Sequence, residues 1–326
     1  MTLLALYVRM LRYRVAMMMW MFMLLAVAYH AGLHRMSAGA VLAALVLGST
    51  YVAATTVNDI ADKEIDLVNH PRDRGRPLVT GDADERALWI VHATGNVVAV
   101  LVAIALGRWG VALSLVTISI GYAYSIGPIR FSYRTYLAPL VLAIAYVLVP
   151  YGLGLVVAHA TPSTGDVRFA GSLYVLFLAR IVLKDFRDRD GDARYGKPTL
   201  LLRHGKTVVC RTSVIALLTW NVLVLIALRP PVPFVAVLDV FVAAIWLQLD
   251  VLRRTEDPRG EQVAIGIAAR AGNGMLIAVL AWLALTSVDA GLGERLLFAA
   301  LVVVVYGASY VALTRRPADV IIGYKG

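Results

Sequence analysis

Charge is what this sequence has least of. Only 16% of its 326 residues are Asp, Glu, Lys or Arg, where soluble domains carry about 25%. With 60% of residues apolar, that scarcity excludes an ordinary soluble globular protein. Disorder is excluded too, because it requires low hydrophobicity. Cysteine is nearly absent. Cys210 stands alone, so a disulfide framework and a thiolate metal site are both excluded. The histidines His30, His34, His70, His92, His159 and His204 show no ligand spacing. No HExxH, CxxC, GxSxG, Walker A or dinucleotide-binding glycine pattern occurs, so hydrolase and nucleotide-binding readings lack support. The remaining class is a polytopic membrane protein.

A bilayer-spanning helix needs ~20 mostly apolar residues. Ten runs are read as spans, at about 15–33, 37–57, 87–107, 109–127, 136–158, 170–183, 212–228, 232–251, 271–289 and 294–313. The sixth is short and reaches spanning length only if its helix continues past Lys184. A cleaved signal peptide ending near Ala26-Val27-Ala28 competes for the N-terminus. The apolar run continues to Gly32, however, so the segment is taken as the first span. With the N-terminus in the cytoplasm, only Arg35, Arg108, Arg168, Arg229 and Arg295 fall outside, and Arg180 lies within the sixth span. The other Lys and Arg residues, from Arg9, Arg12 and Arg14 to Arg315, Arg316 and Lys325, fall inside. This asymmetry fits the positive-inside rule and accounts for the net charge of +10 without a nucleic-acid partner.

The informative residues are acidic. The second span ends in Asn58-Asp59-Ile60-Ala61-Asp62-Lys63-Glu64-Ile65-Asp66, and the sixth in Lys184-Asp185-Phe186-Arg187-Asp188-Arg189-Asp190-Gly191-Asp192. Each contains the spacing Asp, +3, +7, which places three carboxylates on one face of a helix. Asn58 adds an amide oxygen to the first stripe. Like charges so spaced repel. One compensation is local pairing with Lys63, Arg187 and Arg189. The other is a hard divalent cation: Mg²⁺ is held by a few carboxylates, waters and substrate phosphates. Two matched stripes at equivalent topological positions favour the second reading, with Mg²⁺ carrying a diphosphate.

Basic residues flank both stripes. Arg76 lies in the turn-rich stretch after the first, and Lys184 and Lys197 bracket the second. Arg is suited to bidentate phosphate contact and Lys to point-charge contact. A third cytoplasmic segment, Tyr122-Ala123-Tyr124-Ser125-Ile126-Gly127-Pro128-Ile129-Arg130, brings tyrosines to a turn. They are either interfacial belt residues or pocket walls whose π-faces stabilise a cation. Tyr146, Tyr151, Tyr174 and Phe177 are weaker candidates for the same role. Gly266, Gly272 and Gly274 near the ninth span suit close helix packing.

Taken together, Asn58-Asp59-x-x-Asp62-x-x-x-Asp66, Arg76-Pro77-Leu78, Tyr124-Ser125-x-x-Pro128-x-Arg130 and Lys184-Asp185-x-x-Asp188-x-x-Gly191-Asp192-x-x-x-Gly196-x-x-Thr199-Leu200 resemble the UbiA superfamily of intramembrane aromatic prenyltransferases. The resemblance runs over about residues 10–289. It implies an all-α polytopic bundle, nine to ten membrane helices around a central cavity, in a single domain over 1–326 with 294–313 as an extra span. It implies Mg²⁺ held by Asn58, Asp59, Asp62 and Asp66 and by Asp185, Asp188 and Asp192. Arg76, Lys184, Arg130 and Lys197 would contact a prenyl diphosphate, and Asp62, Asp66, Asp188 and Tyr124 would serve the reaction. The acceptor would be hydrophobic or amphipathic, and a lateral opening would admit the prenyl chain from the bilayer. Two features depart from the family pattern: Pro128 stands where some members have Lys, and Arg12-Tyr13-Arg14 replaces an N-terminal Arg-Pro. The nearest rival is a cyclase of the same superfamily, acting without an acceptor. A transporter is disfavoured, because the carboxylates cluster at one membrane face rather than at the midplane.

Overall fold

The computed structural model describes residues 2–317, so Lys325 lies outside the described residues. Among the described residues every regular element is helical. The chain opens with α1 (Leu3–Met10) and α2 (Tyr13–His30), which meet at a bend of 61° and together have the length of one span. Next come α3 (Ala38–Ala61) and two short helices, α4 (Lys63–Asn69) and α5 (Pro77–Thr80). Then follow α6 (Glu85–Ile104) and α7 (Gly107–Ser125). Helices α8 (Leu137–Ala143) and α9 (Val149–Val157) form one span through a π-helical turn at Ile144–Leu148. Pro150, which has no N–H to donate, lies just after that turn. The chain continues through α10 (Thr164–Ile181) and the short α11 (Arg189–Arg194). It ends in α12 (Leu200–Leu228), α13 (Val232–Arg254), α14 (Pro258–Thr286) and α15 (Leu292–Arg315).

Among the described residues, seven helices or composite helices, and the bent pair, are long and apolar enough to cross a bilayer. Helices α7 and α10, at 19 and 18 residues, occupy the two other expected spans with a more polar composition. The protein is thus an all-helical integral membrane protein. The expected boundaries need correction at three places. The sixth span gains its length backwards, not past Lys184. Ser163 caps α10, accepting from the Asp166 amide at 3.3 Å, while Asp166 accepts from the Ser163 amide at 2.8 Å. Beyond Ile181 the helix tightens into a 3-10 turn, Val182–Phe186. Helix α12 begins at Leu200, ahead of the expected 212, and breaks at Gly205 (φ +76°), a left-handed backbone that suits glycine. Helix α14 begins at Pro258, with the Asp257 carboxylate accepting from the amides of Arg259 and Gly260.

The chain divides into two compact units. The first comprises Met1–Ala26, Met36–Ala160 and Asp188–Arg203. Helix α3 is its centre, with Val46, Val52 and Val57 fully buried. Gly95 lets α6 approach closely, since a Cβ there would lie 2.9 Å from the Ser49 carbonyl oxygen. The Thr55 hydroxyl donates to the Met10 carbonyl at 3.1 Å and ties α1 to α3. A cluster of Leu6, Met10, Val52, Leu88 and Val91 completes this packing.

The second unit comprises Val27–Arg35, Thr161–Arg187 and the chain from His204. Its core holds Trp220 and a stacked Phe234–Trp282 pair with ring centroids 4.3 Å apart. The expectation that glycines on α14 permit close packing holds at two positions. A Cβ on Gly272 would lie 3.2 Å from the Arg180 guanidinium, and one on Gly274 2.6 Å from the Tyr306 ring.

Candidate functional site

The expected carboxylate stripes do not lie on unbroken helices. Asp62 ends α3 and starts α4 with φ −105° and ψ 14°, and Asp188 precedes α11 with φ −97° and ψ 7°. The middle carboxylate of each motif therefore sits at a helix break, in the sparsely populated bridge region. Such breaks let the flanking carboxylates diverge from a single helix face.

Within the first unit, α4 and α11 pack together. Gly191 makes this possible: a Cβ there would lie 2.6 Å from both the Ile65 carbonyl oxygen and the Asn69 amide nitrogen. Its own N–H donates to Asn69 Oδ1 at 2.6 Å. The packing brings Asp59, Asp62, Asp66, Asp188 and Asp192 into one compact unit with several cations. All but Asp188 are buried. Arg76 Nη1 lies 3.4 Å from Asp59 Oδ1 and also pairs with Asp66. Lys197 Nζ lies 2.9 Å from Asp62 Oδ2 and 3.6 Å from Asp192 Oδ1. Arg130 Nη2 lies 3.7 Å from Asp62 Oδ1, and the Asn58 amide donates to Asp62 Oδ2 at 3.2 Å.

Two partners were not expected. Arg12 Nη2 pairs with Asp59 Oδ2 at 2.5 Å and donates to the Gly75 carbonyl at 3.1 Å. His70 Nε2 lies 2.8 Å from Asp188 Oδ1. Their only sequence signal was position: Arg12 in the first cytoplasmic segment, His70 between the two motifs. Local pairing of the first stripe is not what occurs, for Lys63 makes no ion pair among the described residues.

Burial alone would lower the pKa of the Lys197 ammonium. Asp62 and Asp192 beside it, and the hydrogen bond to Asp62, outweigh burial and hold it above the ordinary lysine value. The tyrosine alternatives separate. Tyr122 is exposed, as a belt residue would be, whereas Tyr124 is buried at the end of α7. Tyr51 and Tyr146 meet edge-on with centroids 6.0 Å apart, and Tyr151 is buried. Lys184 and Asp185 lie on the 3-10 turn Val182–Phe186 in the second unit, Asp185 buried and Lys184 half-buried.

Among the described residues no three His, Cys, Asp or Glu side chains converge as a ready metal cage. The donor set nonetheless fits Mg²⁺. It consists of hard carboxylate oxygens, and Asp62 Oδ1 is buried and accepts no hydrogen bond among the described residues. Mg²⁺ ordinarily takes only one or two protein carboxylates, the remainder being water and phosphate.

The fold and the site define an all-helical integral membrane protein with a largely buried acidic and basic cluster at the end of α3 and on the short helices and loops between its spans. Residues 16–271 match the UbiA prenyltransferase family, and the chain belongs to that family. It is 26% identical over 203 residues to the bacteriochlorophyll synthase 33 kDa chain of Rhodobacter capsulatus, covering 60% of this chain and 65% of that protein. It is 32% identical over 186 residues to homogentisate phytyltransferase of Synechocystis sp., covering 55% and 58%. The match thus spans 65% and 58% of these relatives' lengths, less than two thirds of each. The fold is similar to that of a UbiA homolog from Archaeoglobus fulgidus bound to DMAPP and Mg²⁺, with a TM-score of 0.57 at 17% identity, covering 95% of this chain and 99% of the other.

Proposed function

We propose that the protein is a Mg²⁺-dependent prenyltransferase. It transfers an isoprenyl group from a prenyl diphosphate to a hydrophobic or amphipathic acceptor, an aromatic quinone precursor or a lipid hydroxyl, within the membrane. The observation that carries this reading is the interlock of Asp59, Asp62, Asp66, Asp188 and Asp192 with Arg12, Arg76, Arg130, Lys197 and His70 in one compact unit. A buried lattice of this kind is costly as mere scaffolding. It suits a ligand that is itself both cation and polyanion. The named activities of the family relatives and the diphosphate-bound homolog agree with it.

Asn58, Asp59, Asp62 and Asp66, with Asp188 and Asp192, would hold Mg²⁺. A Mg²⁺ held by these residues would supply charge neutralisation that makes the diphosphate a better leaving group. Arg76, Arg130 and Lys197 donate to the phosphate oxygens. The C1–O bond breaks, and the diphosphate leaves with the electron pair. Tyr124, with Tyr146 and Tyr151, offers π-faces to the allylic cation and excludes water from it. The acceptor attacks C1 and loses a proton. A carboxylate of the first motif, Asp66, is the candidate to take that proton. On the charge asymmetry, the N-terminus and site loops face the cytoplasm of the cell membrane.

The test is incubation of purified protein with a panel of prenyl diphosphates and acceptors, read by mass spectrometry. Prenylated acceptor is expected with Mg²⁺, and none with EDTA. A cyclic hydrocarbon formed from the diphosphate alone would replace the transferase by a cyclase.

A further inference from the structure

Arg270 is an anomaly among the charges of the second unit. It lies on α14 about 18 Å along the helix from Pro258, at 1.5 Å per residue. At 29 residues α14 is about 43 Å long and exceeds a ~30 Å hydrocarbon layer, so its first turns project and Arg270, immediately before the apolar run 271–289, lies at the membrane interface. A second arginine of that unit, Arg180, is satisfied by the Ala269 carbonyl at 3.1 Å and Asn273 Oδ1 at 2.8 Å. Glu261, buried near the start of α14, is paired with Lys206 at 2.7 Å. Arg270 is half-buried and has no ion pair or hydrogen bond among the described residues. A half-buried guanidinium at the interface, with no anion of its own among the described residues, lies at the level of lipid phosphates.

Arg270 opens onto a pocket of about 240 Å³ between α13, α14 and α15. The remaining lining is apolar and aromatic, including Phe241, Ile267, Val303 and Tyr306. Its walls are held by packing. Phe241 and Tyr306 meet edge-on at 6.2 Å, and the Gln248 amide donates to the Tyr310 hydroxyl at 2.5 Å. Near Leu313, at one end of the pocket, Arg315 and Arg316 are exposed. The pocket therefore presents an apolar cleft, one guanidinium within it and two more beyond its end. That combination matches an amphiphile with an anionic head and a hydrocarbon chain. A second copy of this chain docking through α15 would bring only Glu294, which lies at the opposite end of that helix.

We propose that this pocket binds an anionic phospholipid, with one acyl chain in the cleft and the phosphate paired to Arg270. The pocket lining belongs to the second unit, whereas Asp59, Asp62, Asp66, Asp188 and Asp192 belong to the first.

The experiment is native mass spectrometry of the full chain released from nanodiscs holding equal phosphatidylglycerol and phosphatidylcholine. Wild type should retain phosphatidylglycerol preferentially, at least several-fold over phosphatidylcholine. Arg270→Gln should lose the preference, and Arg270→Lys should keep part of it. Gly307→Phe leaves the arginine intact but fills the cleft, so it should lose the retained lipid altogether. Melting temperatures in detergent confirm that each variant is folded. Equal retention of the two lipids by wild type, unchanged retention in both Arg270→Gln and Gly307→Phe, or a dimer that the variants dissociate without any lipid change would each overturn the proposal.

Discussion

Asp62 is where the charges of the site cross. Its Oδ2 receives Lys197 and Asn58, and Arg130 approaches its Oδ1. Removing it leaves a buried ammonium with Asp192 as its remaining carboxylate neighbour and removes a metal-ligand candidate. Asp62→Ala should lower turnover on the order of 10²–10³-fold, the scale of losing one preorganised electrostatic group. Asp188→Ala, which strips His70 of its partner, should act in the same direction. Both variants should stay monodisperse in detergent, and full activity in both would sink the metal–diphosphate assignment. Lys197 carries a second prediction. Its pKa is raised by the neighbouring carboxylates, so its contribution is complete below the ordinary lysine pKa and is lost only as pH climbs through the higher folded value. The KM for prenyl diphosphate should therefore show no Lys197-dependent change between about pH 6 and pH 9, well under the free lysine pKa of about 10.4. Lys197→Met should raise KM at every pH in that window, and a raised KM at only one end of it would contradict the assignment. The carboxylates were legible because helical spacing exposes them. Their partners Arg12 and His70 were not, since they act across 47 and 118 residues, where no periodicity operates.

The two acidic motifs are alike as elements. Each runs from a longer helix or tight turn through an Asp in the bridge region into a helix of six or seven residues, α4 or α11. The i, i+3, i+7 spacing is compatible with a continuous helix and with a broken one, so the breaks were not legible in it. The glycine of the second motif was legible only as a member of the pattern. Its physical reason is the 2.6 Å approach of Ile65 and Asn69. Gly191→Ala should separate α11 from α4 and cost about 1–3 kcal/mol, the usual range for overpacking a close contact. A lower melting temperature in detergent and weaker diphosphate binding, with secondary structure unchanged by circular dichroism, would mark this effect. A variant as stable and as tight-binding as wild type would show that the close approach is dispensable. The sixth and ninth spans follow the same logic of hidden ends. Asp166 and Glu261 look too polar for a membrane helix, yet each lies in its first turn, where a capping box or an ion pair with Lys206 satisfies it.

At the scale of the whole molecule, apolar runs count the spans well, because nothing but a bilayer asks for so many. Orientation rests on different residues, the Lys and Arg crowded at one set of loops. The carboxylate motifs, Arg76, Arg130 and Lys197 all belong to that set, so the proposed cytoplasmic opening of the site rests on the charge asymmetry. Cys210 is buried, so a Cys210→Ser background should tolerate single reporter cysteines. Thr161, exposed between α9 and α10, is on the expected outer side, and Asp82, exposed between α5 and α6, on the inner. A membrane-impermeant maleimide should label Thr161→Cys in intact cells and Asp82→Cys only after permeabilisation. The opposite pattern would turn the lattice of Asp59, Asp62 and Asp188 outward. It would separate the site from any diphosphate made in the cytoplasm, and the proposed reaction would lose its substrate supply even with the site chemistry intact.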